Sequence, residues 1–229
     1  MLSGCATINF SANYYTPPDN YQVEVRSLWD KYLARASLST GYRMNIVSDR
    51  ECMGGIPEIE QTTVKLPDNF IKYVYQNYYD SRYKVLLCIV SHELCHNEYR
   101  LFDQSNPKAH FQVDQKAIEL LKAKTSFTSE DYYASLMVVK DYWFARKGLG
   151  GHLFNAGWNM ASVASMVYGG PGYFRDWFAT DLNGRLSLIS RRYRVHSGSR
   201  FKRSPGKNKT IRLEEDNFEP LFLAKNVSP

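Results

Sequence analysis

Val85-Leu86-Leu87-Cys88-Ile89-Val90-Ser91-His92-Glu93-Leu94-Cys95-His96 is the stretch on which the reading of this chain turns. An apolar run passes directly into two histidines four residues apart. Four residues make about one helical turn, so both imidazoles leave the same face, at the spacing two side chains need to share one tetrahedral metal ion. Glu93 projects roughly 100° around the axis from His92, beside such an ion rather than at it. A carboxylate there can take a proton from water that the ion activates. The apolar run buries the helix, so the ligands would stand on a rigid element.

A catalytic zinc needs a third protein ligand and an open position. The chain has five histidines, at 92, 96, 110, 152 and 196. His110 follows a loop at Leu101 to Pro107 and stands near the start of the next helix, where antiparallel packing can return it to the metal. Asp114, one turn further on, can orient a ligand from behind. His152, after Gly150-Gly151, reads as a loop residue. The run Gly148-Leu149-Gly150-Gly151 lacks the Gly-Lys-Ser/Thr of a phosphate-binding loop.

Outward from this helix, Val25, Leu28, Trp29, Tyr32, Leu33 and Ala36 recur at helical spacing. Arg43 to Ser48 alternates as a strand. Gly54-Gly55 marks a turn, and Glu58 to Leu66 reads as a second strand stopped by Pro67. Asp68 is placed to cap a helix through about Tyr79, and Ser81 the metal helix through about Tyr99. Helices are expected at Ala109 to Ala123, Glu130 to Arg146, His152 to Val167 and Phe174 to Ser190, with Tyr142, Trp143, Trp158 and Trp177 in packing positions. The layout is an α+β domain, mostly helical, with a small antiparallel sheet beside the metal helix.

With 44% apolar and 23% charged residues the chain has globular composition, which excludes a disordered protein. Its net charge of +6 is unevenly spread. Nine basic residues and no acidic one lie between Arg191 and Arg212, and Glu214, Glu215, Asp216 and Glu219 follow against Lys225, so residues 1 to 190 are neutral overall. The chain divides into an arm at 1–18 ending in Pro17-Pro18, a domain at 19–190 and a basic tail at 191–229. Phe201 is the only aromatic between Tyr193 and Phe218, which leaves little stacking platform, and nucleic acid is not an expected partner. Cys88 and Cys95 fall about 10 Å apart along one helix by its rise per residue, too far to pair.

The metal helix, the loop, and His110 followed by Phe111 resemble SprT-like metallopeptidases, in which a third His opens the next helix. The strand Thr62 to Leu66 fits the zincin plan implied by that resemblance, with an edge strand lining the substrate cleft. The chain is also similar to the M48-like minigluzincins. There a Glu four residues before an Asp is the third ligand, and His110 stands in that place relative to Asp114. Their closing helix carries a His-Pro and then an Arg; Asp181 to Arg185 keeps the Arg without the His-Pro. The similarity covers about residues 40 to 125, and 175 to 190 more loosely. It implies a zincin-like zinc peptidase acting on a peptide or protein, with His92, His96 and His110 on the metal and Glu93 as the catalytic residue.

Leu2-Ser3-Gly4-Cys5 resembles a bacterial lipobox, which implies a lipid on Cys5 and a precursor that starts upstream of Met1. Ala6, not Asp, after the cysteine implies sorting to the outer membrane, facing the periplasm. Other envelope proteins would then order the termini. The alternative expectation is a structural lipoprotein subunit of an outer-membrane assembly, such as a secretion-system core complex, that keeps a zincin fold.

Overall fold

The computed structural model describes residues 20–36, 41–52, 55–101, 107–146 and 177–203. Helix α1 spans Tyr21–Ala36, followed by strand β1 (Arg43–Val47). Strands β2 (Glu58–Glu60) and β3 (Thr63–Pro67) come next. Helices α2 (Asp68–Asn77), α3 (Arg82–Glu98), α4 (Pro107–Lys124), α5 (Ser129–Arg146) and α6 (Trp177–Tyr193) complete the described chain. Cys5, Pro17-Pro18, the Gly148 to Gly151 run, His152, the helix expected at His152 to Val167, Trp158 and the tail beyond Arg203 lie outside the described residues.

The described part is mostly helical, and its sheet is mixed where an antiparallel one was expected. The order is β1-β3-β2, with β1 parallel and β2 antiparallel to β3. The stretch Glu58 to Leu66 is two strands, because Gln61 takes a left-handed conformation (φ 52°) and reverses the chain. Asn97, at the end of α3, donates to the Gln61 carbonyl at 2.7 Å and pins that turn. Thr63 to Leu66 is therefore central, and β2 is the strand at the sheet's edge on the side of α3. Pro67, not Asp68, holds the N-cap of α2. The Asp68 carboxylate instead accepts from the Tyr21 hydroxyl and pairs with Lys72.

Helix α3 is the axis of the domain. From Val85 to His96 every residue is buried, as a helix packed on all sides requires. Helices α1, α2, α4 and α5 and strands β2 and β3 all contact it. Helix α5 starts in a reciprocal cap: Asp131 N–H donates to the Thr128 hydroxyl at 3.1 Å, and Thr128 N–H to the Asp131 carboxylate at 3.0 Å. The Lys84–Asp131 pair at 2.7 Å ties it to α3.

The boundary expected at residue 190 falls inside α6, which runs to Tyr193. Beyond it Val195 is buried, and Phe201 packs against the core. Arg200 and Arg203 reach Asp141 of α5 at 3.4 and 3.5 Å. The first part of the basic segment thus lies folded against α5. No helix among the described residues is long and apolar enough to cross a membrane.

Helix α6 lies close against the start of α4. A Cβ on Gly184 would stand 2.5 Å from Pro107 Cβ. In an open helix Gly→Ala adds roughly 1 kcal/mol of stability. Gly184→Ala is expected to do the opposite and lower stability by about 1–3 kcal/mol, the usual range for overpacking. Thr180→Ala, on an exposed position of the same helix, is the control in urea unfolding.

Candidate metal centre

His92 and His96 leave one face of α3, and His110 enters from the first turn of α4. Their Nε2 atoms form a small triangle: 2.9 Å between His92 and His110, 3.2 Å between His92 and His96, and 3.1 Å between His96 and His110. All three residues are buried.

These short contacts are not hydrogen bonds, because each ring already uses its other nitrogen as a donor. Nδ1 of His92 faces Asp114 Oδ1 at 3.0 Å, and Nδ1 of His110 faces Asp181 Oδ2 at 2.9 Å. Nδ1 of His96 faces the Leu101 carbonyl at 2.5 Å. Neither a carboxylate nor a carbonyl can donate, so each acceptor places the proton on Nδ1. Three Nε2 lone pairs then point at one another with no proton among them.

Protonating the imidazoles does not relieve this. Burial and the nearby Arg185 guanidinium hold His92 well below the usual histidine range. Burial brings His96 down to about 4, against the pull of the Leu101 carbonyl. His110 is lowered by burial and then by Arg185, with Asp181 opposing. A cation is the species that satisfies three converged, neutral donors. Ring nitrogens sharing one zinc at the usual ~2.0–2.1 Å stand about 3.3 Å apart in a tetrahedron, which the triangle approaches. His92, His96 and His110 could therefore hold a metal ion.

Behind the triangle lies a buried polar layer. Arg185 grips Asp114 with two parallel bonds, Nε to Oδ2 at 2.8 Å and Nη2 to Oδ1 at 2.6 Å. Tyr132 of α5 donates to the same Oδ1 at 2.8 Å. Burial alone would raise the Asp114 carboxyl, but the Arg185 guanidinium outweighs it and holds the group well below the usual range. Since His92 stays neutral, its contact with Asp114 is a hydrogen bond and not an ion pair.

Glu93 sits beside the triangle at the floor of a cleft of about 250 Å³. Its carboxylate accepts from the Ile59 N–H of β2. Burial pushes its pKa up to about 8, with Arg185 opposing. The cleft has an apolar helical wall, with Ile89 from α3, Leu136 and Val139 from α5, and Phe178 and Leu182 from α6. Edge strand β2 brings Glu58 and Ile59 along the opposite side.

The structure brings His92, Glu93, His96, His110 and Asp114 together in one site, and Cys5 lies outside the described residues. Sequence reading missed Tyr132 and Asp181 as parts of it. Tyr132 carried no signal, being one tyrosine among 17. Asp181 lies four residues before Arg185, so both share a helix face, and the similarity of that segment to a closing helix was the available clue. In comparison with known proteins, no family model, no curated protein and no solved structure matches this chain.

Removing one partner of a buried ion pair leaves the other charge uncompensated. Arg185→Met is thus expected to destabilise the protein by about 3–5 kcal/mol in urea unfolding. The double variant Arg185→Met/Asp114→Leu should recover part of that loss, since the Asp114 charge is gone while Asp181, His92 and Tyr132 still lose a partner. Equal losses in single and double variants would mean that the pair is not the linchpin of this layer.

Proposed function

We propose that this chain is a zinc-dependent peptidase, held at the outer membrane by a lipid on Cys5. The observation that carries the chemistry is the set of three inward Nε2 lone pairs with Glu93 beside them at the floor of a cleft. The sequence resemblance to SprT-like and M48-like metallopeptidases points the same way.

Bound to His92, His96 and His110, a zinc ion would supply Lewis acidity toward water and a peptide carbonyl. The chain's own groups handle orientation and protons. Asp114 and the Leu101 carbonyl keep the rings of His92 and His96 turned so that Nε2 faces inward. Glu93 accepts the proton of the attacking water and delivers it to the departing amine. Burial keeps this carboxyl basic for its type, and a cation alongside would draw its pKa down toward neutrality, where one group can both take and give a proton. The walls of the cleft favour a peptide with a large apolar side chain next to the scissile bond.

Purified protein is expected to hold about one zinc per chain, removable by chelator. Glu93→Gln should keep that zinc and the fold while lowering cleavage of a mixed peptide library by about 10²–10⁴-fold, since the amide cannot accept the proton. A variant cleaving at the wild-type rate would end this mechanism. A wild-type protein that loads zinc and cleaves nothing would favour the structural role in an envelope assembly.

The anchor has its own test. Cys5→Ala should move the protein from the membrane fraction to the soluble periplasm with no change in zinc content. Wild-type protein found soluble and without acyl mass would remove the envelope location and leave the site chemistry standing.

A further inference from the structure

We infer that Asp181 is the positioning residue of His110: its carboxylate holds that ring from behind, and Arg185 couples it to the carboxylate behind His92. This rests on the reading of the three histidines as metal ligands, and it adds to that site a residue from a helix holding none of them.

Asp181 Oδ2 is 2.9 Å from His110 Nδ1 and 3.4 Å from Arg185 Nη1. The residue is buried, and its other oxygen, Oδ1, has no hydrogen-bond partner among the described residues. A buried acceptor left unsatisfied costs about 1–3 kcal/mol. A helix that only needed to pack would be better served by an apolar residue there. What the carboxylate provides is a charged acceptor aimed at the one ring nitrogen that must keep its proton if Nε2 is to face the metal. It makes His110 a stronger donor to a cation and prevents the ring from flipping.

The arrangement is paired. Arg185, one turn after Asp181, reaches both Asp181 and Asp114, and these back His110 and His92 in turn. His96 lacks such support and leans on a neutral backbone carbonyl. One guanidinium on α6 therefore sets two ligands that come from two other helices. This also explains why α6 must approach α4 closely enough for Gly184 to touch Pro107.

The test uses full-length protein with Asp181→Asn and Asp181→Ala. In zinc-free protein, nitrogen-detected NMR of the imidazoles should show His110 as the single Nδ1–H tautomer in the wild type. In Asp181→Ala it should be a mixture, while His96 is unchanged. Zinc affinity, measured by competition with a chelator, should fall about 10–100-fold in Asp181→Ala, the usual effect of losing such a partner. Asp181→Asn keeps an acceptor oxygen and should restore the single tautomer, with a several-fold loss of zinc affinity that is smaller than that of Asp181→Ala. Substituted cobalt should show a shifted visible spectrum in Asp181→Ala alone. A residue with only a packing role would lower thermal stability and leave tautomer, affinity and spectrum as they were, and that result overturns the inference. If Asp181→Ala does not fold, Asp181→Asn decides. Its single charge is lost, so zinc affinity should still fall several-fold, and an affinity equal to the wild type's overturns the inference. If wild-type protein binds no zinc, the metal reading fails, while the tautomer of His110 still judges Asp181.

Discussion

Arg185 and Asp114 form a two-pronged ion pair sealed from water, and the geometry of the site follows from it. Removing two charges from water costs several kcal/mol each, and a well-packed apolar pair would stabilise the domain as well or better. An apolar pair, however, could not accept a hydrogen bond from the His92 ring or from the Tyr132 hydroxyl. Asp114 does both while its charge is balanced by Arg185, whose remaining reach extends to Asp181. Four helices thus meet at one polar layer: α3 through His92, α4 through His110 and Asp114, α5 through Tyr132, and α6 through Asp181 and Arg185. The layer aims the imidazoles, and the apolar core around α3 supplies the stability that lets it remain polar.

How far the sequence reveals this depends on how local each feature is. The helix through His92 and His96 is legible because its period, apolar run and i, i+4 spacing lie within twelve residues. His110 is legible at one remove, since a short loop followed by a helix limits where that side chain can go. Asp181 lies 71 residues from His110, and Arg185 lies 71 from Asp114, and no periodicity announces a contact at that range. Tyr132 is buried in a packing position, and nothing in its surroundings separates it from the other core tyrosines. The sheet was misread for a local reason. Gln61 adopts a left-handed turn that glycine or asparagine usually signals, so the alternation of Glu58 to Leu66 looked like one strand.

The cleft joins these two kinds of information. Its helical wall repeats the rule that built the core, with pairs three or four residues apart on α5 and α6. Its other wall is the short edge strand created by the unforeseen reversal at Gln61. Without that reversal, β2 would not return beside α3, and the Ile59 amide would not reach Glu93. A backbone torsion at one exposed residue is thereby connected, through three residues of strand, to the setting of the carboxylate at the heart of the proposed chemistry.

The contact between Gly184 and Pro107 bears on how this sequence can drift. Neither residue belongs to the site, and neither carries chemistry of its own. Yet the approach of α6 to α4 leaves room for a side chain on only one of them. Substitution at 184 is open only to chains that shrink or shift the ring at 107, and a helix interior would otherwise favour alanine. Across any set of descendants these two positions should therefore vary together, as a compensating pair, while the charged residues at 181 and 185 stay fixed. A record of paired change at 107 and 184 would be the evolutionary trace of a distance between two helix axes.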